Sequence, residues 1–362
     1  MKRLFAGMTA ALLAVILVFS VSAESISARS YVLLDAATGR VLQKHASDQR
    51  SLIASTTKIM TALIVCEQCN VLDRMRIPKE AVGIEGSSLY LREGEVLTIQ
   101  ELLYGLMLHS GNDAATALAI YCSGTVEAFS QQMNDKAHTL GLTNTHFENP
   151  HGLDSGTHYS TAEDLAKLAA YAMENPIFSK IVSTKNVKIG SRQLTNHNKL
   201  LWQIDGADGV KTGYTKAAGR ILVSSVCRGG RRLIAVTICA PNDWNDHSLL
   251  HESGFLQYKQ KQIISTGDVL GTIDVAGGDA QKVHLVANED FSYPLSQKDI
   301  ISVKLPNPAF AYAPVAYGQS AGCAGIFVGE CKIGTVEMIY GETIEQEIDE
   351  QKSLMNRLLG GN

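Results

Sequence analysis

Ala54-Ser55-Thr56-Thr57-Lys58-Ile59-Met60-Thr61-Ala62-Leu63-Ile64 joins chemistry to architecture in one stretch. Ile59, Met60, Leu63 and Ile64 recur at core spacing, so the segment reads as a buried helix starting near Ser55. Ser55 and Lys58 lie one turn apart and project from the same end of that helix. A serine hydroxyl is a weak nucleophile until a base takes its proton. Lys58 qualifies only if burial and a second cation push its pKa down.

Two further motifs follow in order. Ser110-Gly111-Asn112 sits between an apolar helix ending near His109 and an alanine-rich helix from Ala114, where Gly111 permits a tight turn. Ser110 is placed to pass a proton to a leaving group and Asn112 to bond a substrate amide. Lys211-Thr212-Gly213, with Tyr214 and Thr215, reads as an edge strand beside which an extended peptide can lie. Lys211 is the candidate second cation, and Lys211, Thr212 and Thr215 are candidates to hold a carboxylate. Each motif alone is weak, since a Ser-x-x-Lys arises by chance roughly once or twice in such a chain. Their order and local context carry the reading, and the handful fits acyl transfer by an activated serine.

Working outward, residues 28–44 read as a β-hairpin, and Gly219–Cys227 with Leu233–Ala240 as another. Between them lie helices: one opened by a capping box at Thr98 and Glu101, another by Ser160 and Glu163, with a last helix over residues 244–260. Strands at both ends and helices between predict an α/β (α+β) domain, one antiparallel sheet flanked by helices. From residue 263 short Val- and Gly-rich runs punctuated by Pro306, Pro308 and Pro314 predict a small all-β domain to residue 342. Residues 343–362 read as an acidic helical tail.

The 362 residues carry a formal charge of −4 and no Lys/Arg stripe, which argues against nucleic acid as a partner. Residues 1–23 read as a secretory signal: Lys2 and Arg3, an apolar run from Leu12 to Phe19, then Val21-Ser22-Ala23. Its removal would take −4 to −6, two basic residues being lost. The odd set Cys66, Cys69, Cys122, Cys227, Cys239, Cys323 and Cys331 is no disulfide scaffold. Cys66 and Cys69 read as core thiols rather than a redox or metal pair. Free thiols in an exported protein hint at a low-oxygen habitat.

The three motifs, in residues 54–62, 110–115 and 208–215, resemble those of D-alanyl-D-alanine carboxypeptidases, the low-molecular-mass penicillin-binding proteins. Asn149-Pro150-His151-Gly152-Leu153 and His158-Tyr159-Ser160-Thr161-Ala162 match two further family segments. The resemblance implies a serine DD-peptidase domain over residues 24–262, of β-lactamase/transpeptidase-like fold, outside the cytoplasmic membrane. It implies removal of the terminal D-alanine from peptidoglycan pentapeptide stems, with Ser55 as nucleophile, Lys58 as base and Ser110 as relay. By motif position the N–H groups of Ser55 and Tyr214 would form the oxyanion hole. No metal or cofactor is implied, and β-lactams would acylate Ser55. Where some relatives carry a carboxylate-binding arginine before Leu-Leu-Trp, this chain has Asn196-His197-Asn198-Lys199, leaving His197, Lys199 or Lys211 for that task. The acidic tail departs from the aromatic, lysine-rich membrane anchor of many relatives, so peripheral membrane association stays open.

Several features compete with this reading. Gly318-Gln319-Ser320-Ala321-Gly322 matches a nucleophile elbow but lacks the strand-to-helix context. His247 and His251 are spaced as a metal pair without the accompanying Glu, and His109 adjoins Ser110. A β-lactamase would need an additional carboxylate among Glu127, Glu148, Glu163 and Glu174. A non-catalytic cell-wall-binding protein would not need Ser55, Lys58 and Lys211 together.

Overall fold

The computed structural model describes residues 25–306 and 310–347. The expected signal segment and the last fifteen residues of the tail lie outside them. The first region holds strands β1 (Ser30–Asp35), β2 (Val41–His45), the short pair β3 (Arg74–Arg76) and β4 (Val96–Thr98), the short pair β5 (Asn186–Ile189) and β6 (Arg192–Thr195), then β7 (Ala207–Thr215), β8 (Gly219–Arg228) and β9 (Arg231–Ile238). Its helices are α1 (Lys58–Gln68), α2 (Ile99–Leu108), α3 (Asn112–Ser123), α4 (Val126–Thr139), α5 (Ala162–Glu174), α6 (Pro176–Ser183), α7 (Leu200–Gln203) and α8 (Asp243–Gln257).

The sheet is antiparallel in the order β2-β1-β9-β8-β7, so the two hairpins expected from the sequence meet where β1 pairs with β9. Both faces of this sheet are covered. Val32 and Leu34 of β1 belong to the large core shared with α1 and α5, while Leu33 packs with Leu233 and Leu250 under α8. Successive strand side chains point to opposite faces, which explains the unbroken apolar run of β1. β7 is left at the edge.

Two local expectations shift. α2 has its capping box at Thr98 and Glu101, but α5 is capped one residue later than Ser160: Thr161 Oγ1 accepts from Asp164 N. Ser160 is unavailable because its backbone bridges Ser51 and its hydroxyl bonds Thr145. Glu163 instead pairs with Lys167.

The second region is all-β. Strands β10 (Lys259–Ile264), β11 (Val269–Ala276), β12 (Lys282–Ala287), β13 (Phe291–Leu295), β14 (Ile301–Lys304), β15 (Phe310–Tyr312), β16 (Ser320–Val328) and β17 (Cys331–Tyr340) form a six-stranded sheet, β14-β16-β17-β12-β11-β15, and the pair β10-β13. The tail expected to be helical from Thr343 starts extended. Ile344 bridges Val315, Gln346 bridges Gly278, and the buried Ile344 side chain joins the β-region core, which holds the backbone in strand form. Ser320 opens β16 and donates to Glu337 Oε1, so the Gly-x-Ser-x-Gly run is a turn into a strand rather than a nucleophile elbow.

Candidate active site

A tight 3-10 turn, Ala54–Thr57, precedes α1. Ala54 takes a left-handed φ of 45°, and Thr56 Oγ1 donates to Ile53 O at 2.6 Å, fixing the bend. Ser55 thereby faces a cleft of about 370 Å³ while Lys58 is fully buried beneath it.

The Lys58 amine has three neighbours: Ser55 Oγ at 3.0 Å, Asn112 Oδ1 at 2.7 Å and His151 O at 2.6 Å. Two of these can only accept. A neutral amine has two N–H groups for them and one lone pair left, which then faces the Ser55 hydroxyl. Burial, helped by the Lys211 ammonium, pushes Lys58 well below its ordinary pKa against the pull of Asp113. Lys211 is itself buried on β7 and lowered by that burial to about 7. Its Nζ donates to Thr212 O at 2.9 Å.

The Asn149–Leu153 loop forms the wall that presents His151 O. Asn149 Oδ1 accepts from Gly152 N at 2.7 Å, and Thr61 Oγ1 donates to Pro150 O at 2.7 Å. Gly152 has φ +86°, and a Cβ there would sit 1.9 Å from Ala54 O, so only glycine lets loop and turn touch. His158 accepts from Glu148 N at Nδ1 (3.1 Å), so its Nε2–H donates to Thr57 Oγ1 at 2.7 Å. Burial lowers His158 to about 4 and keeps it neutral.

In the second motif the left-handed residue is Ser110 (φ 67°), whereas Gly111, expected to supply the turn, has φ −58°. Glycine is required at 111 by crowding: a Cβ would meet Asp113 Oδ1 at 2.8 Å and Leu89 Cγ at 3.1 Å. Ser110 Oγ lines the cleft and is buried with no hydrogen-bond partner in the protein. Asn112 is buried beside Lys58. Its Oδ1 accepts from Lys58 and its Nδ2 donates to Glu85 O at 2.5 Å, which fixes the amide against the Lys58 amine.

On β7, Thr212, Gly213 and Tyr214 line the cleft beside Ser55, and a Cβ on Gly213 would lie 3.3 Å from Ser55 N. Thr215 is turned elsewhere: its Oγ1 accepts from Ala218 N and shapes the β7–β8 turn. Of the candidate carboxylate holders, His197 and Lys199 line the cleft. Burial, then Lys211 and His109, lowers His197 to about 4, so it is neutral near pH 7. His109 stacks obliquely on His197, ring centroids 5.3 Å apart. Arg220 also lines the cleft and escaped the sequence reading. It sits on β8 opposite Tyr214, which counting back across the hairpin would have revealed. It pairs with Asp243 at 2.8 Å. Between α8 and the sheet, His247 and His251 both bond Ser224 Oγ inside the core, and among the described residues no cluster suited to a metal occurs.

With this arrangement in view, the family model described as D-alanyl-D-alanine carboxypeptidase matches residues 17–242. The chain belongs to the D-alanyl-D-alanine carboxypeptidase family. A model described as penicillin-binding protein 5, C-terminal domain, matches residues 258–346. D-alanyl-D-alanine carboxypeptidase DacF of Bacillus subtilis is 34% identical over 312 residues, covering 82% of this chain and 80% of the relative. DacC of Escherichia coli is 33% identical over 347 residues, covering 90% and 86%. The crystal structure of penicillin binding protein 5 from Haemophilus influenzae matches with TM-score 0.74 at 29% identity, over 89% of this chain and 98% of that one. The chain is thus a serine-type carboxypeptidase of this family with an α/β region and an all-β C-terminal region, as the motifs led one to expect.

Proposed function

We propose that this carboxypeptidase works through Ser55, Lys58 and Ser110 in an exported catalytic domain spanning residues 24–262. Neutral Lys58 takes the Ser55 proton as Oγ attacks the carbonyl between the two D-alanines of a peptidoglycan stem. The N–H groups of Ser55 and Tyr214 hold the oxyanion. As the C–N bond breaks, Ser110 hands a proton to the departing D-alanine amine, the net proton coming from Lys58. Water then cleaves the acyl-enzyme ester and restores Ser55. The extended peptide lies along the open edge of β7, with Thr212, Lys199 and the nearby charge of Lys211 drawing its terminal carboxylate. Asn112 is a positioning residue for Lys58.

The carrying observation is the Ser55–Lys58 contact of 3.0 Å around a buried, depressed amine. Acylation by β-lactams follows from the same geometry. A β-lactamase is disfavoured because the only carboxylate lining the cleft among the described residues, Asp243, is held by Arg220. In this reading the second domain spans residues 263–342, with β10 (Lys259–Ile264), which pairs with β13, crossing the boundary. Export rests on the basic-apolar-small pattern of residues 1–23 and on the cell-wall substrate.

Release of D-alanine from diacetyl-Lys-D-Ala-D-Ala tests the assignment. The expected result is release and stable penicillin labelling, both abolished in Ser55→Ala. Undiminished release from Ser55→Ala would overturn it, and rapid multiple turnover of penicillin would favour the β-lactamase.

A further inference from the structure

Lys58 and Asn112 begin α1 and α3, and their side chains meet at 2.7 Å. The same two helices meet again at their other ends. Cys69 caps α1 in extended conformation, Cys122 lies in the last turn of α3, and their sulfur atoms are 2.7 Å apart. At 1.5 Å per residue, this second meeting point is roughly 16 Å along α1 from Lys58. The Cys66-x-x-Cys69 spacing is therefore not the relevant pairing. Cys66 is buried within α1, and burial pushes its thiol up to about 12, which makes it inert.

We propose that Cys69 and Cys122 form a disulfide that staples together the far ends of the two helices whose near ends carry Lys58 and Asn112. Three observations support it. The sulfurs need to close by only about 0.7 Å to reach the ~2.05 Å bond. Both residues are partly exposed, so an external disulfide can reach them. The hydrogen bond from Cys122 lowers the Cys69 thiol toward its reactive thiolate form. The bond would also tie residues 53 apart in the chain, a loop containing Ser110 and Asn112.

The reaction is thiol–disulfide exchange. The Cys69 thiolate attacks one sulfur of an external disulfide and expels the first thiol. Cys122 releases its proton to solvent, attacks the Cys69 sulfur of the mixed disulfide and expels the second. Two protein thiols are oxidised and one external disulfide is reduced to two thiols. The proposal rests on the export reading for where the oxidant is met: an extracytoplasmic thiol–disulfide oxidoreductase. Oxidised glutathione substitutes for it in vitro.

The test equilibrates the purified full chain in oxidised glutathione, blocks free thiols with an alkylating agent and maps the digest by mass spectrometry. The expected product joins the Cys69 and Cys122 peptides, two hydrogen atoms lighter than the separate pair. Oxidation should raise Tm by roughly 5–10 °C over the reduced protein, and Cys122→Ser should lose that rise. Penicillin labelling should survive oxidation. Recovery of alkylated Cys69 and Cys122 where the exposed Cys323 and Cys331 have become glutathionylated would overturn the proposal. So would a Cys69–Cys66 bond, or a joined pair with unchanged Tm. Labelled protein with both thiols free refutes the staple alone, whereas a joined pair with no penicillin label refutes the acyl-enzyme reading alone.

Discussion

The two regions of this chain have interiors of different material. In the α/β region the core is threaded with buried polar groups, among them Lys58, Ser110, Asn112, Asp113 and Lys211. In the β-rich region the buried side chains among the described residues are apolar, such as Val283, Ala324, Val336 and Met338, apart from the Tyr293 phenol. Burying an amine or carboxylate costs several kcal/mol unless partners or a task offset it. Among the described residues that cost falls in the α/β region, at Lys58 and Lys211 and also at carboxylates such as Asp35 and Asp164, and not in the β-rich region. A second contrast lies within the first region. His247 and His251, on the α8 side of the sheet, are also buried and driven toward the neutral form, His251 to about 3. They share the Ser224 hydroxyl and open onto no cleft, whereas Ser55 and Ser110 line one. Access, not burial, separates the working cluster from the structural one.

The strongest way to break this contrast is Lys58→Met. It keeps apolar bulk and removes the proton acceptor, so penicillin acylation should fall about 10²–10⁴-fold. Time-resolved labelling reads this, and near-normal acylation would make Lys58 as structural as His247. Lys211→Arg sharpens the electrostatics. Lys211 loses its charge as pH rises through about 7, so kcat/KM of the native enzyme should decline above that pH. An arginine stays charged, and the descending limb should move to higher pH. The same group links to stability. The unfolded chain binds its proton up to 10.5 and the folded one only to about 7. This residue therefore contributes stability that is present above 10.5 and lost as pH falls to about 7. Thermal melts of the native protein and of Lys211→Met across that window should show the slope weakened in the variant. Gly152→Ala tests the loop that holds Lys58. Its methyl would overlap Ala54 O, costing about 2–3 kcal/mol in urea unfolding and slowing acylation as His151 O moves.

The sheet, the helices and the all-β second region were legible because each rests on a periodic pattern. Alternation around β8 and β9, the Thr98–Glu101 box and core spacing after Ser55 all report local physics. Less was legible where a tertiary contact overrides it. The bridge from Ser51 takes Ser160 away from its cap, and the crowding of Asp113 and Leu89 moves the left-handed residue to Ser110. Ile344 is held in strand form by a core assembled from distant strands. In the site, Ser55, Ser110, Thr212 and Tyr214 line one cleft, with Lys58 buried against Ser55. Asn112 is buried beside Lys58 and Thr215 shapes the β7–β8 turn, since a motif states neighbours in sequence and not the direction of a side chain. Arg220 and the approach of Cys69 to Cys122 depend on register and helix length together, which no single motif carries.

The smallest expected effect tests whether the two interiors work independently. Arg40, between β1 and β2, reaches into the second region. Its guanidinium pairs with both Asp299 oxygens at 2.8 and 2.9 Å, donates to Pro294 O, and lies 5.3 Å from the ring centres of Tyr258 and Tyr293. The pair is largely shielded from water, so it is worth more than a surface ion pair, about 1–3 kcal/mol. Yet nothing in this bolt touches Ser55, Lys58 or β7. Arg40→Ala should therefore leave D-alanine release from a soluble tripeptide unchanged within twofold. It should also loosen the domain contact, read as faster proteolysis around residues 258–262. If release fell with docking, the β-rich region would share in shaping the cleft, and its apolar interior would serve catalysis at a distance after all.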